Sequence, residues 1–153
     1  LNDEIVEAFG EAGPAVLHLC GERDFERLRG RPRRDDYKLV PFTNEFGAAL
    51  GAADLVVARA GGSVWEVAAA GKPAILVPYP FATADHQAKN ARFFERAGGA
   101  ITVPETELGR VADLARSLIG DPERLKEMGD AMKRVAKPDA AEEIAEGLIQ
   151  LAT

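Results

Sequence analysis

The stretch DLVVARAGGSVWEVAAAGKPAILVPYPFATADHQAKNA, Asp54 to Ala91, carries the clearest architectural pattern in the chain. Leu55-Val56-Val57-Ala58 is short, apolar and β-branched, the signature of a buried strand. In Ala60-Gly61-Gly62-Ser63, which follows, paired glycines permit a tight turn and close approach of a ligand to the backbone. Val64 to Ala70 predicts a helix, stopped by Gly71 and Pro73. A second apolar run, Ala74-Ile75-Leu76-Val77, precedes the proline-punctuated loop Pro78 to Ala84. Asp85 is placed to cap the next helix, with His86 and Gln87 in its exposed first turn. Strand, glycine turn, helix, strand, loop and helix form a βαβα unit with two helix N-termini at one sheet edge. Such an edge holds an anion and the sugar attached to it.

On the amino-terminal side, Asn2 to Phe9 is a short helix pattern and Ala15 to Leu19 a strand. Arg23 to Leu28 is helical, and Arg29 to Asp36 is a charged loop whose interleaved acids predict a solvated face rather than a lipid contact. Tyr37 to Pro41 is the next strand, and a helix runs from Asn44, its cap, to Ala52. On the carboxyl-terminal side, Asp85 to Arg96 is helical and Ala100 to Val103 is a strand. Leu108, Val111, Ala112, Ala115, Leu118 and Ile119 share one helical face. Leu125, Met128, Met132 and Val135 form a second stripe after the cap-and-proline pair Asp121-Pro122; Ala141, Ile144, Ala145 and Leu148 form a third. About five strands alternating with helices predict a Rossmann-like parallel sheet covered on both faces, ending in a helical tail.

Composition narrows the function. The 153 residues make one domain, and a net charge of −6 argues against nucleic acid, whose binders carry a basic face. Cys20 is the only cysteine, so no internal disulfide forms and a reducing compartment fits. No apolar run approaches a membrane span. No histidine or carboxylate pair has metal or nucleophile spacing, so neither a metal nor a cofactor is expected. His18 lies in a strand pattern and is expected to be a satisfied core or strand-end histidine. Gly61-Gly62 lacks the full dinucleotide fingerprint and the lysine of a nucleoside-triphosphate loop; its place between strand end and helix head favours a diphosphate. Ser63-Val64-Trp65-Glu66 has the form of a capping box, so Glu66 either reaches back to the cap or accepts ribose hydroxyls.

These residues resemble the carboxyl-terminal, donor-binding domain of the MurG-type glycosyltransferases, bacterial enzymes that make lipid II. The resemblance rests on ADLVVARAGGSVWEVAAAGKPAILVPYP and ATADHQAKNARFFERAGGA, and extends through HLCG, FTNEFGAALGAAD, Leu1-Asn2 and PDAAEEIAE. It implies the donor half of a GT-B enzyme that moves N-acetylglucosamine, with inversion, from UDP-N-acetylglucosamine to the muramoyl sugar of lipid I in peptidoglycan synthesis. By position, the backbone of Thr43 would read the uracil, with Phe46 packing nearby. Ala60, Gly61, Gly62, Ser63 and Val64 would line the diphosphate, Glu66 would bind the ribose, and His86 and Gln87 would contact the donor sugar. Some relatives place one more residue between the glycine turn and the glutamate, and some carry two glutamines where this chain has His86-Gln87. The resemblance also implies a domain lacking its first strand and its amino-terminal acceptor domain. Lipid I and the peripheral contact with the inner face of the cell membrane would belong to that acceptor domain, and this chain alone would be inactive. Two other readings stay open: a UDP-N-acetylglucosamine 2-epimerase on the same fold, and a non-catalytic nucleotide-binding subunit.

Overall fold

The structure, a computed structural model, describes residues 1–152. Helix α1 (Asn2–Phe9) leads to strand β1 (Val16–Leu19), then α2 (Glu22–Leu28), β2 (Tyr37–Val40), α3 (Phe46–Ala52) and β3 (Val56–Ala58). Helix α4 (Val64–Ala69), β4 (Ala74–Leu76), α5 (His86–Arg96) and β5 (Ala100–Thr102) complete the alternation. A helical tail follows: α6 (Arg110–Ile119), α7 (Pro122–Val135) and α8 (Ala140–Ala152). All pairings are parallel, but the strands form two sheets, β1-β2 and β3-β4-β5. The outer edges of β1 and β3 pair with no other described strand.

The side-chain period of a strand divides the core into two layers. Ile75 of β4 and Val77 just beyond it join Val103, Ile5, Phe9, Val111 and Met128 on one face of the sheet. Ala74 and Leu76 point the other way, among Val64, Val67, Phe94, Ala91 and Met132. Helices therefore cover both faces, as the apolar runs predict. The two sheets share the first layer, because Val16, Tyr37 and Leu39 pack into the same cluster as Val57 and Ile101. Helix α7 serves both layers, with Met128 in one and Met132 in the other. Its close approach to α4 needs glycine: a Cβ on Gly129 would lie 2.6 Å from the carbonyl oxygen of Gly71. Gly71 itself ends α4 with φ +64, a conformation open to glycine at no steric cost.

Local capping departs from expectation at two places. Asn44 does not cap α3; Glu45 holds the cap position, and its N–H donates to the Thr43 hydroxyl at 3.0 Å. Asp85 precedes α5 but adopts φ 57 at the end of a 3-10 turn and makes no side-chain cap bond. Its carboxylate pairs instead with Arg92 at 3.2 Å. Asp121 does cap α7, accepting the Arg124 N–H at 3.0 Å, with Pro122 in the first turn. The arginines of the 29–36 loop are also more engaged than a solvated face requires. Arg33 donates to the carbonyls of Leu28, Arg29 and Arg31, and Arg34 to those of Phe9, Gly13 and Pro14, which fastens the loop to α1 and α2. Ile119 is part-exposed at the margin of the α6 face, whose buried members are Val111, Ala112, Ala115 and Leu118.

Candidate functional site

Parallel strands bring their carboxyl ends to one edge, and the loops leaving that edge build the site. Beyond β3 lie Arg59 and the glycine turn; beyond β4, the loop from Pro78; beyond β5, Pro104 and Glu105. The sequence reading missed the brace that joins them. Arg59 forms an ion pair with Glu105, donates to the Val77 carbonyl at 3.3 Å and stacks over the Tyr79 ring at 5.5 Å. Hydrogen bonding from the Arg59 guanidinium holds the Glu105 carboxyl below its usual range. The only signal in the sequence is a pair of opposite charges just past two strands. A second tie is Asn90 of α5, whose amide donates to the Ala60 carbonyl at 3.0 Å and fixes the helix against the glycine turn.

The turn itself has a free polar surface. The N–H groups of Val64, Trp65 and Glu66 close back onto the carbonyls of Gly61, Gly62 and Ser63. The N–H groups of Gly61, Gly62 and Ser63 make no hydrogen bond among the described residues. A Cβ on Gly61 or Gly62 would meet nothing within 4 Å, and neither has positive φ. The fold therefore does not require glycine at either position, whereas close approach by an outside group does. Ala60 is 0% exposed and Val64 is buried, so Gly61, Gly62 and Ser63 supply the accessible surface of the turn.

The capping-box reading of Glu66 fails. Ser63 has helical φ and ψ and makes no side-chain cap bond. The Glu66 carboxylate is exposed and has no hydrogen-bond or ion-pair partner among the described residues. With the backbone turns already closed, nothing draws the carboxylate back to the cap. Phe46 packs against the cluster that contains Ala60 and Val64, bringing α3 to the turn. The Thr43 hydroxyl is occupied by the Glu45 N–H, while its backbone N–H and carbonyl are unbonded among the described residues.

At the head of α5, Nδ1 of His86 lies 2.7 Å from the Thr83 carbonyl, an acceptor that fixes the proton on Nδ1 and leaves Nε2 outward. Gln87 accepts the Tyr79 N–H at 2.9 Å through Oε1, so its amide N–H groups remain available. No described contact links His86 or Gln87 to Glu66. His18 is a core residue, as expected. Asn2 donates to the Cys20 carbonyl at 2.9 Å and to Asp24 at 2.8 Å, which leaves its oxygen for the His18 Nε2–H at 3.1 Å. Nδ1 then accepts the Tyr37 hydroxyl at 2.7 Å. Desolvation and the nearby Arg33 lower the His18 pKa to about 4, and burial raises that of Tyr37 to about 12. No group of three or more potential metal ligands occurs among the described residues.

Parallel strands, helices on both faces and a glycine turn at the carboxyl edge define a Rossmann-like domain of the kind found in GT-B glycosyltransferases. The chain belongs to the family of the glycosyltransferase family 28 C-terminal domain, whose sequence model matches residues 3–144. The UDP-N-acetylglucosamine--N-acetylmuramyl-(pentapeptide) pyrophosphoryl-undecaprenol N-acetylglucosamine transferase of Halorhodospira halophila is 43% identical over 93% of this chain and 41% of that protein. The enzyme of the same name from Solidesulfovibrio magneticus is 44% identical over 93% and 42%. The crystal structure of MurG from Acinetobacter baumannii matches with a TM-score of 0.75 at 31% identity, over 87% of this chain and 40% of that one. The glycosyltransferase VinC in complex with DTDP gives 0.74 at 21% identity, a likeness of fold. This chain thus spans less than half the length of the curated relatives it matches.

Proposed function

We propose that this chain is the donor-binding domain of an inverting glycosyltransferase that moves N-acetylglucosamine from UDP-N-acetylglucosamine to lipid I, giving lipid II for peptidoglycan. The observation that carries the reading is the free Glu66 carboxylate two residues beyond Val64, beside a glycine turn whose three N–H groups are unbonded. In this reading the turn at Ala60 to Val64 receives the diphosphate through Gly61, Gly62 and Ser63. Glu66 accepts the ribose hydroxyls, the Thr43 backbone and Phe46 face the uracil, and His86 Nε2 and the Gln87 amide meet the sugar. Arg59 and Asn90 position these groups without touching the donor. The names of the relatives support the choice of donor and acceptor.

Transfer needs the acceptor hydroxyl in line behind the anomeric carbon and a base to take its proton as the bond to UDP breaks. The proposal assigns base, acceptor and the main peripheral membrane contact, on the inner face of the cell membrane, to an amino-terminal domain. The donor-binding domain formed by this chain would also lack its first strand; one parallel strand set between the unpaired edges of β1 and β3 would join the two sheets.

Calorimetry with UDP against ADP tests the reading. UDP should bind the chain more tightly, and Glu66→Gln should weaken UDP by roughly tenfold or more, the ~1.5–3 kcal/mol of hydrogen bonds to a charged group. The melting temperature should stay unchanged, because the carboxylate holds nothing within the chain. Equal binding of UDP and ADP, or unaltered affinity in the variant, defeats the assignment. The chain alone should not form lipid II from labelled donor and a lipid I analogue.

A further inference from the structure

Helix α5 carries a surface that the donor site does not use. Lys89, Arg92, Phe93 and Arg96 recur at i, i+3, i+4 and i+7, so they form one stripe, and all four are exposed. The opposite face is the buried one, with Ala91 and Phe94 in the core. Lys89 and Arg96 have no hydrogen-bond or ion-pair partner among the described residues, and Arg92 reaches only Asp85. Glu95, the acid within the helix, accepts the Thr102 N–H at 2.8 Å and so turns toward β5. Along the stripe runs an open groove of about 490 Å³, lined by Lys89, Arg92, Phe93, Arg96 and Ala97. Trp65 of α4 extends its apolar side: the indole is 37% exposed and lies 5.4 Å from the ring of Phe93, itself 45% exposed.

In a chain of net charge −6, Lys89 and Arg96 stand without an acidic partner among the described residues, while Asp85 is held by Arg92 and Glu95 turns to the Thr102 N–H. The groove is shallow, and its lining contains no buried polar side chain that would grip a small anion. Cationic heads on flexible stems beside exposed aromatic rings suit the headgroup layer of a bilayer. There the rings enter the interface while Lys and Arg reach phosphates. We propose that the Lys89–Arg92–Phe93–Arg96 stripe with Trp65 is a docking surface for an anionic lipid membrane. At 1.5 Å per residue α5 is about 16 Å long, and its first turn bears His86 and Gln87. A bilayer under the stripe therefore lies alongside the helix whose head faces the donor edge. Docking and donor binding use different side chains, so either can fail without the other.

Trp65 is the single tryptophan and reports the contact directly. The chain should sediment with phosphatidylglycerol/phosphatidylcholine vesicles and not with phosphatidylcholine alone, with binding reduced by salt. Trp65 emission should shift to the blue and be quenched by brominated acyl chains. K89E/R96E should lower partitioning at least tenfold, at about fivefold per cation removed, with UDP affinity unchanged. R23E/K38E makes the same change in net charge at exposed positions elsewhere and should stay within about twofold of the parent. Absence of binding to anionic vesicles overturns the proposal. So does equal loss in the two double variants, which would mean diffuse electrostatics, or binding without a change in Trp65 emission, which would put the contact elsewhere. Capture of an acidic protein by the stripe without vesicle binding would likewise replace the membrane with a different partner.

Discussion

The two sheets use the same kind of strand and are held by different physics. In the three-stranded sheet, β4 is buried at every position, and its two faces meet two separate apolar layers. In the two-stranded sheet, β1 leaves Leu17 52% exposed, and a polar chain crosses its buried side from Asp24 through Asn2 and His18 to Tyr37. Packing energy is insensitive to pH, whereas a buried hydrogen-bonded histidine is not. One half of the domain should therefore fail through cavities and the other through protonation.

Phe94→Ala attacks the first half and should have the largest effect. Phe94 is fully buried and packs edge-on against Trp65 at 4.9 Å, so truncation should cost about 3–5 kcal/mol, the same at pH 5 and pH 7.5. Urea melts at both pH values measure it; a strong pH dependence would break the contrast. Acidification attacks the second half. His18 titrates near its ordinary 6.5 when unfolded and at about 4 when folded, so between those values the unfolded state binds more protons. Stability is full above pH 6.5 and falls as pH drops toward 4, by up to about 3 kcal/mol at 1.36 kcal/mol per pH unit. His18→Gln should flatten that slope in the same melts. Tyr37→Phe removes the hydroxyl that donates to Nδ1 and should cost about 1 kcal/mol at pH 7.5, with a smaller further loss on acidification.

The smallest effect belongs to the tail. Helices α7 and α8 show the same apolar period, but α7 buries Met128, Ala131 and Met132, while α8 leaves Leu148 63% exposed with Ile144, Ile149 and Leu151. Leu148→Ser should stay within about 0.5 kcal/mol by thermal melt. A larger loss would mean that α8 packs in solution as α7 does.

Strand runs, helix stripes and the cap at Asp121-Pro122 were legible because they depend on residues a few positions apart. The alternation of β4 between two layers follows from side-chain period alone, so the Rossmann-like class was already determined by Asp54 to Ala91. The turn at Gly61-Gly62, the helix heads at Val64 and His86 and the core role of His18 were local in the same sense. What only the tertiary structure decided was which groups remain unoccupied. Ser63 and Glu66 fit a capping box by spacing, yet the backbone closes its own turns there and the carboxylate is left free. Asp85 stands where a cap belongs, but Arg92 one helical stretch away takes its carboxylate. Arg59 and Glu105 are 46 residues apart and meet only because parallel strands end at a common edge. Period gives the apolar face of a helix; whether that face is buried, as in α7, or open, as in α8, depends on whether the fold sets a surface against it.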